Sequence, residues 1–253
     1  MRIEYLYRFP VKGLTAEALE DATVEVGGTI PWDRAFALAQ GDSGFDPANP
    51  VWLPKRNFMC LAFNARAAKL AAFFEPSSGT MTLRGPDGAE ISENALRPDG
   101  RARLGAFLAD YLAEEARGTP QLAYAPGHTF ADGRGKMVSL INMASLQDFE
   151  SKVGGRRHRR RFRANVWFSG VPAWAEREWI GQEMQIGGAV VKILRNIPRC
   201  PATQVNPVTA ERDADPVSEL QHLYGHKDLG VYAEVIDGGR FAVGDAMEVF
   251  DPA

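Results

Sequence analysis

Cysteine is scarce in this chain: Cys60 and Cys200 are the only two in 253 residues. Two distant thiols build neither a disulfide framework nor a zinc cluster, and they are too few for an iron–sulfur centre. Histidine is almost as rare, with four. His222 and His226 lie four apart around Tyr224, but a zinc site would need a third ligand and a helix through Gly225, which breaks helices. No apolar run approaches the roughly 20 residues that span a bilayer, and no basic–apolar–small leader is present. Met1 runs straight into strand-like sequence. A cytoplasmic, reducing location is therefore expected, with no membrane contact. No Gly-x-Gly-x-x-Gly fingerprint, phosphate loop or Gly-x-Ser-x-Gly elbow occurs, which argues against dinucleotide binding, P-loop chemistry and serine hydrolysis. The net charge of −3 has no nucleic-acid signature.

What remains is an ordinary globular composition, 45% hydrophobic and 24% charged, long enough for one large domain or two small ones. Ile3, Tyr5, Tyr7 and Phe9 alternate as a half-buried strand does. Short strands are expected at 22–26, 35–39, 69–74, 80–84 and 90–92, the last three separated by Pro-Ser-Ser-Gly and Gly-Pro-Asp-Gly turns. Residues 41–54, rich in proline and glycine, read as a surface loop. Leu104, Phe107, Leu108, Tyr111 and Leu112 share one helical face, with Asp99 as a candidate cap. Gly118-Thr119-Pro120 marks a domain boundary. A second helix follows Asn142, striped by Leu146, Phe149 and Val153. Further strands are expected at 165–168, 184–186, 190–194, 231–236 and 246–250, with a hairpin turn at Asp237-Gly238-Gly239. The expected class is mainly β with a few helices (α+β), divided into 1–118 and 119–253.

Cys200 lies between Pro198 and Pro201 and directly after Arg199. The prolines place the thiol on an ordered loop, and nearby positive charge favours thiolate, the form that binds metals. The bland alternative is a small buried hydrophobe. Lys12, beside Gly13, reads either as a solvated turn lysine or as a contact for an anion. Arg34 reads as half of an exposed pair with Asp33 or as an anion-binding fork. Asn142 and Ser145 begin a helix, where capping and anion binding are both open. Cys60 reads as inert packing in the 58–63 segment. The run 156–161, five arginines around His158, reads as a solvated loop, as a docking patch for an acidic electron-transfer partner, or as a steering field; no aromatic platform supports nucleic-acid binding. Arg163 differs: beside Phe162 and a strand, it is expected to point inward.

Several of these fragments together resemble one family. Phe9-Pro10-Val11-Lys12-Gly13, Asp33-Arg34, Phe130-Ala131-Asp132-Gly133, Phe162-Arg163-Ala164-Asn165, Ser169-Gly170, Arg199-Cys200 with Thr203-Gln204-Val205-Asn206-Pro207, and Gly230-Val231-Tyr232-Ala233 with Val243-Gly244-Asp245 are similar, in order and spacing, to the motifs of MOSC-domain proteins. These are relatives of the molybdenum cofactor sulfurase C-terminal region and of the mitochondrial amidoxime reducing component. The resemblance implies a distorted β-barrel preceded by a smaller β-rich N-terminal domain. It implies a molybdenum cofactor (Mo-pterin), its metal held by Cys200 and its pterin and phosphate by Lys12, Arg34, Asn142, Ser145, Arg163, Asn165, Arg199 and Thr203. It further implies an oxidoreductase acting on N-hydroxylated or N-oxygenated small molecules, supplied by a separate flavin or iron–sulfur electron donor. A carrier of persulfide sulfur or of molybdenum cofactor, working with a separate pyridoxal-phosphate-dependent sulfurase, is the alternative; a degenerate binding module is a third. The chain departs from the pattern at Ala164 for proline, Gln204 for threonine and Asn206 for aspartate, the last removing a charge.

Overall fold

A computed structural model describes residues 1–250. The chain opens with β1 (Arg2–Arg8), β2 (Glu17–Leu19), β3 (Asp21–Val24) and β4 (Phe36–Ala39). It continues through a meander of β5 (Ala71–Glu75), β6 (Thr80–Arg84) and β7 (Glu90–Asn94), the helix α1 (Pro98–Tyr111), and β8 (Gln121–Tyr124). The second half carries β9 (Val138–Asn142), α2 (Met143–Val153), β10 (Val166–Ser169), β11 (Glu183–Ile186), β12 (Ala189–Pro198), α3 (Pro216–Tyr224), β13 (Asp228–Asp237), β14 (Gly239–Ala242) and β15 (Met247–Val249). The mainly β expectation holds, and α1 is the longest helix.

One eight-stranded sheet dominates, in the order β15-β11-β12-β13-β9-β10-β1-β2. Its only parallel pair is β9 with β10, joined through α2, because a parallel neighbour demands a crossover. Gly230, at φ 80°, lets β13 pass over β9: a Cβ there would sit 2.4 Å from the Leu140 carbonyl oxygen. Ile3, Leu6, Leu140, Phe168, Ile193 and Val231 are among the side chains filling this sheet's core. A second core forms under the β5–β7 meander and α1, around Phe36, Leu70, Met81, Leu104 and Leu108. A third lies beneath α2 and α3, around Phe9, Phe149 and Trp167.

The boundary expected at residue 118 separates elements that the fold interleaves. β1 and β2 join the main sheet beside β10, and β4 pairs with β8 across the boundary. The simple alternation expected for β1 also fails. Its register against β10 shifts between Ile3 and Tyr5, a bulge that turns Ile3 and Leu6 to one face and leaves Tyr5 and Tyr7 stacked on the other. Asp99 does not cap α1. Arg97 occupies the cap position and Pro98 begins the helix, where its missing N–H costs nothing, while Asp99 pairs with Arg103 one turn on. The turn at Asp237-Gly238-Gly239 closes no hairpin. β12 and β9 already occupy both edges of β13, so β14 pairs with β3 instead.

Candidate functional site

Six loops meet at a cavity, and Cys200 lies in its wall. β12 stops at Pro198. Cys200 then caps a single 3-10 turn, Pro201–Gln204, because the prolines on both sides forbid continuing the ladder. The Cys200 carbonyl accepts from the Thr203 N–H and from Thr203 Oγ1, each at 3.0 Å. Thr203 therefore holds the turn that presents the thiol. The thiol is partly exposed and free, whereas Cys60 is buried.

Two arginines frame the cavity floor in a strained way. Arg34 and Arg163 both have φ of 52°, a left-handed conformation that a non-glycine residue adopts at a cost of about 1–3 kcal/mol. Both guanidinium groups lie over the Phe9 ring, at 4.6 and 4.2 Å from its centre. Arg34 donates to the Arg163 carbonyl at 2.8 Å and pairs with Asp33, which in turn accepts from the Phe9 N–H at 2.8 Å. Burial works against the Arg34 charge, but Asp33 outweighs it and keeps the group above its ordinary value. Arg163 has no such partner. It donates to the Leu14 carbonyl at 2.6 Å, and burial together with the Arg34 charge pushes it down to about 9. Arg199 is similar: it donates to the Phe162 carbonyl at 2.8 Å and to the Leu229 carbonyl, its Nε has no partner, and burial pushes it down to about 10.

In the same cavity, buried Lys12 donates to the Phe130 carbonyl at 2.7 Å and to Asp132. Gly13, at φ 86°, lets this loop pack on Cys60, whose Cα would lie 3.2 Å from an added Cβ. Lys55, just past the proline-rich stretch and unmarked in the sequence, reaches the same carboxylate at 3.6 Å. Burial opposes its charge, yet Cys200 and Asp132 beside it raise it above the ordinary lysine value. Burial likewise opposes the Asp132 charge, but Lys12, Lys55 and Arg34 hold the carboxyl below its usual range. Cys60 is packed as expected, and it also lines the cavity; burial pushes its thiol up against the pull of Lys12.

Asn165 is buried in the wall. Its Oδ1 accepts from the Ser139 N–H at 3.1 Å and Ser139 Oγ at 2.7 Å, and its Nδ2 donates to the Tyr7 carbonyl at 3.2 Å. It ties β1, β9 and β10 together behind the cavity. Asn142 and Ser145 are not brought into the cavity. Asn142 caps α2 by accepting from the Ala144 N–H at 3.0 Å, and both residues serve buried Glu176, which accepts from Ser145 Oγ at 2.8 Å. The anion expected at that helix start is thus supplied by the chain itself. Burial raises Glu176 above its ordinary value, with Ser145 and Asn142 pulling the other way.

The basic run 156–161 divides in two. Arg156, His158 and Arg160 face solvent, while Arg157 pairs with Glu219, Arg159 lies 3.8 Å over Tyr5, and Arg161 is buried in the cavity wall. Arg161 donates to the Gln204 carbonyl at 2.8 Å and to Asp213. Asp213 also accepts from Asn206 Nδ2 at 2.6 Å, so the charge missing at Asn206 is present seven residues later. Tyr232, on β13, is a further lining residue that sequence reasoning did not single out.

The lining cations are Lys12, Arg34, Lys55, Arg161, Arg163 and Arg199; the lining carboxylates are Asp33 and Asp132. A pocket with that balance attracts anions. Among the described residues no group of three or more His, Cys, Asp or Glu side chains could hold a metal ion.

A model of the MOSC N-terminal beta barrel domain matches residues 1–103, and a MOSC domain model matches residues 127–248. The chain belongs to the MOSC family. Mitochondrial amidoxime reducing component 2 of Rattus norvegicus is 30% identical over 140 residues, covering 51% of this chain and 41% of that protein. Mitochondrial amidoxime-reducing component 1 of Homo sapiens is 30% identical over 150 residues, covering 54% and 41%. The match to each relative thus spans about two fifths of the relative's length. The solved YUAD protein from Bacillus subtilis aligns over 100% of this chain and 96% of its own, at 15% identity and a TM-score of 0.46. Among the described residues no helix of this MOSC protein is long and apolar enough to cross a membrane.

Proposed function

We propose that this MOSC protein binds a molybdenum cofactor in the Cys200 cavity and reduces N-hydroxylated or N-oxygenated small molecules. One observation carries the reading: a partly exposed thiol shares a cavity with half-buried Arg163 and buried Arg199, two guanidinium groups that among the described residues form no ion pair. An isolated buried cation is unfavourable, and an anionic ligand relieves it with charge-assisted hydrogen bonds. A single protein thiolate suits a redox metal whose remaining sulfur ligands come from an anionic pterin. When bound, that group would supply two-electron redox chemistry at an open coordination position.

The chain's own residues do the positioning. Cys200 would hold the metal. Arg163, Arg199, Arg34 and Lys12 would hold the phosphate and polar edge of the pterin. Thr203 fixes the Cys200 turn, and Asn165 fixes the strands behind it. The net reaction takes two electrons and two protons to convert an N-hydroxyl compound to the parent nitrogen compound and water. The electrons come from a separate flavin or iron–sulfur protein, since two cysteines cannot hold a cluster. Two free thiols fit a reducing compartment such as the cytoplasm.

The test is metal analysis of protein made in a molybdenum-replete host, followed by amidoxime reduction with a chemical reductant. Stoichiometric molybdenum and turnover are expected in the wild type, and both should collapse in Cys200→Ser at an unchanged melting temperature. Full activity in Cys200→Ser would sink thiolate ligation. A carrier role is the second reading, favoured by the second thiol, Cys60, in the same cavity. It predicts bound cofactor or a persulfide on Cys200 without turnover.

A further inference from the structure

We propose that the open trough beside the Cys200 cavity, lined by Trp52, His128, Arg134 and Lys136, binds the carboxylate of an aromatic substrate. This rests on the reductase reading above and adds to it a substrate class. The trough has a volume of about 450 Å³, within the range of small-molecule sites. Thr129, Gly133 and Gly135 belong to both its wall and that of the Cys200 cavity, so one loop has a face on each.

The two faces of that loop are differently charged. Its carboxylate, Asp132, turns to Lys12 and Lys55 in the inner cavity. Arg134 and Lys136 line the outer trough, and among the described residues neither has an ion-pair or side-chain hydrogen-bond partner. The protein carries a net charge of −3, so two adjacent unpaired cations are a local reversal of sign. They are also not needed for a cofactor phosphate, which has the inner cations.

Arg134 lies 4.9 Å from the centre of the Trp52 ring, a flat guanidinium on a flat indole. Trp52 Nε1 is buried without an acceptor. His128, packed edge-on to Phe130 at 4.8 Å, sits in the same wall, and burial with nearby Lys136 lowers its pKa. A planar ring fits against Trp52 and Arg134, and a carboxylate fits the guanidinium fork, with Lys136 as a second charge. The ligand class with both features is an aromatic carboxylate. Its N-oxygenated end would then lie toward the shared wall and Cys200.

The experiment compares two probes, benzamidoxime and 4-carboxybenzamidoxime, on the cofactor-loaded full chain. Calorimetry reads binding and a chemical reductant drives turnover. The carboxylate probe should bind roughly tenfold more tightly at low salt, the size of one good charge-assisted contact. The preference should vanish in Arg134→Gln/Lys136→Gln and persist in Arg103→Gln, an exposed arginine on α1. Trp52→Phe keeps the ring and should retain part of it. Equal affinity of the wild type for both probes overturns the proposal, as does a double variant that keeps the preference. Turnover of both probes with equal affinity would sink the trough and leave the reductase standing. A carboxylate preference without turnover would do the reverse.

Discussion

Two parts of this molecule bury charge without a counter-ion, and they do so in different ways. At the start of α2, the Glu176 carboxylate meets donors the chain provides, Ser145 Oγ and Asn142 Nδ2. None of these side chains lines the Cys200 cavity. Around Cys200, the guanidinium groups of Arg163 and Arg199 spend donors on carbonyl oxygens, which leaves positive charge over and the Arg199 Nε without a partner. There a cavity lies alongside. Hydrogen-bond satisfaction alone does not separate a structural polar cluster from a binding site. Residual charge of one sign next to open space does.

The sharpest way to break this contrast is Arg163→Met, which keeps much of the packing on Phe9 and removes the charge. Retained molybdenum should fall about tenfold after gel filtration, more at high salt, since a charge-assisted contact is worth about 1.5–3 kcal/mol. Wild-type metal content by mass spectrometry would place the phosphate elsewhere. Asn165→Ala should act on the fold. Losing its contacts to Ser139 and Tyr7 should cost about 3 kcal/mol and lower the melting temperature by roughly 10 °C. A stable variant that loses only cofactor would move Asn165 into the ligand shell.

Glu176→Gln sharpens the other side. Because burial raises the folded-state pKa, the native state favours the protonated acid. That stabilisation is complete below the unfolded value of about 4.5 and is lost as pH rises through the folded value. The glutamine variant stays neutral, so its melting temperature relative to wild type should be unchanged at low pH and rise toward pH 8. A difference flat across pH would mean that Glu176 titrates normally. The smallest effect belongs to Cys60→Ala, about 1 kcal/mol of stability with molybdenum content intact. Loss of metal there would make the second thiol part of the ligand set.

Residues whose roles are local were legible in the sequence. β6 spans the expected residues, Asn142 caps the helix it precedes, and the prolines around Cys200 do end a strand and present a thiol. Residues whose roles depend on tertiary context were not. β9 is buried throughout, so its Val-Ser-Leu-Ile-Asn run shows no alternation. α3 carries plain signals, Asp215 as cap, Pro216 next and Gly225 at the end, and it contains His222 while His226 lies beyond it. Lys55 and Cys60 share a cavity with Cys200 only through loop packing between the two halves of the chain. In the run 156–161 the period-two exposure was hidden because the residues share one charge; only the fold tells Arg161 from Arg160.

The position of β1 has a consequence for dissecting the protein. A fragment beginning near residue 119 would contain most of the main sheet but would lack β1, which covers the edge of β10, and β2 beyond it. It would also lose Ile3 and Leu6 from that sheet's core. An uncovered β10 offers a row of unpaired backbone groups to any passing strand. Such a fragment should be insoluble alone and recover when residues 1–30 are supplied as a separate peptide, a complementation that treats the N-terminal segment as a donated strand.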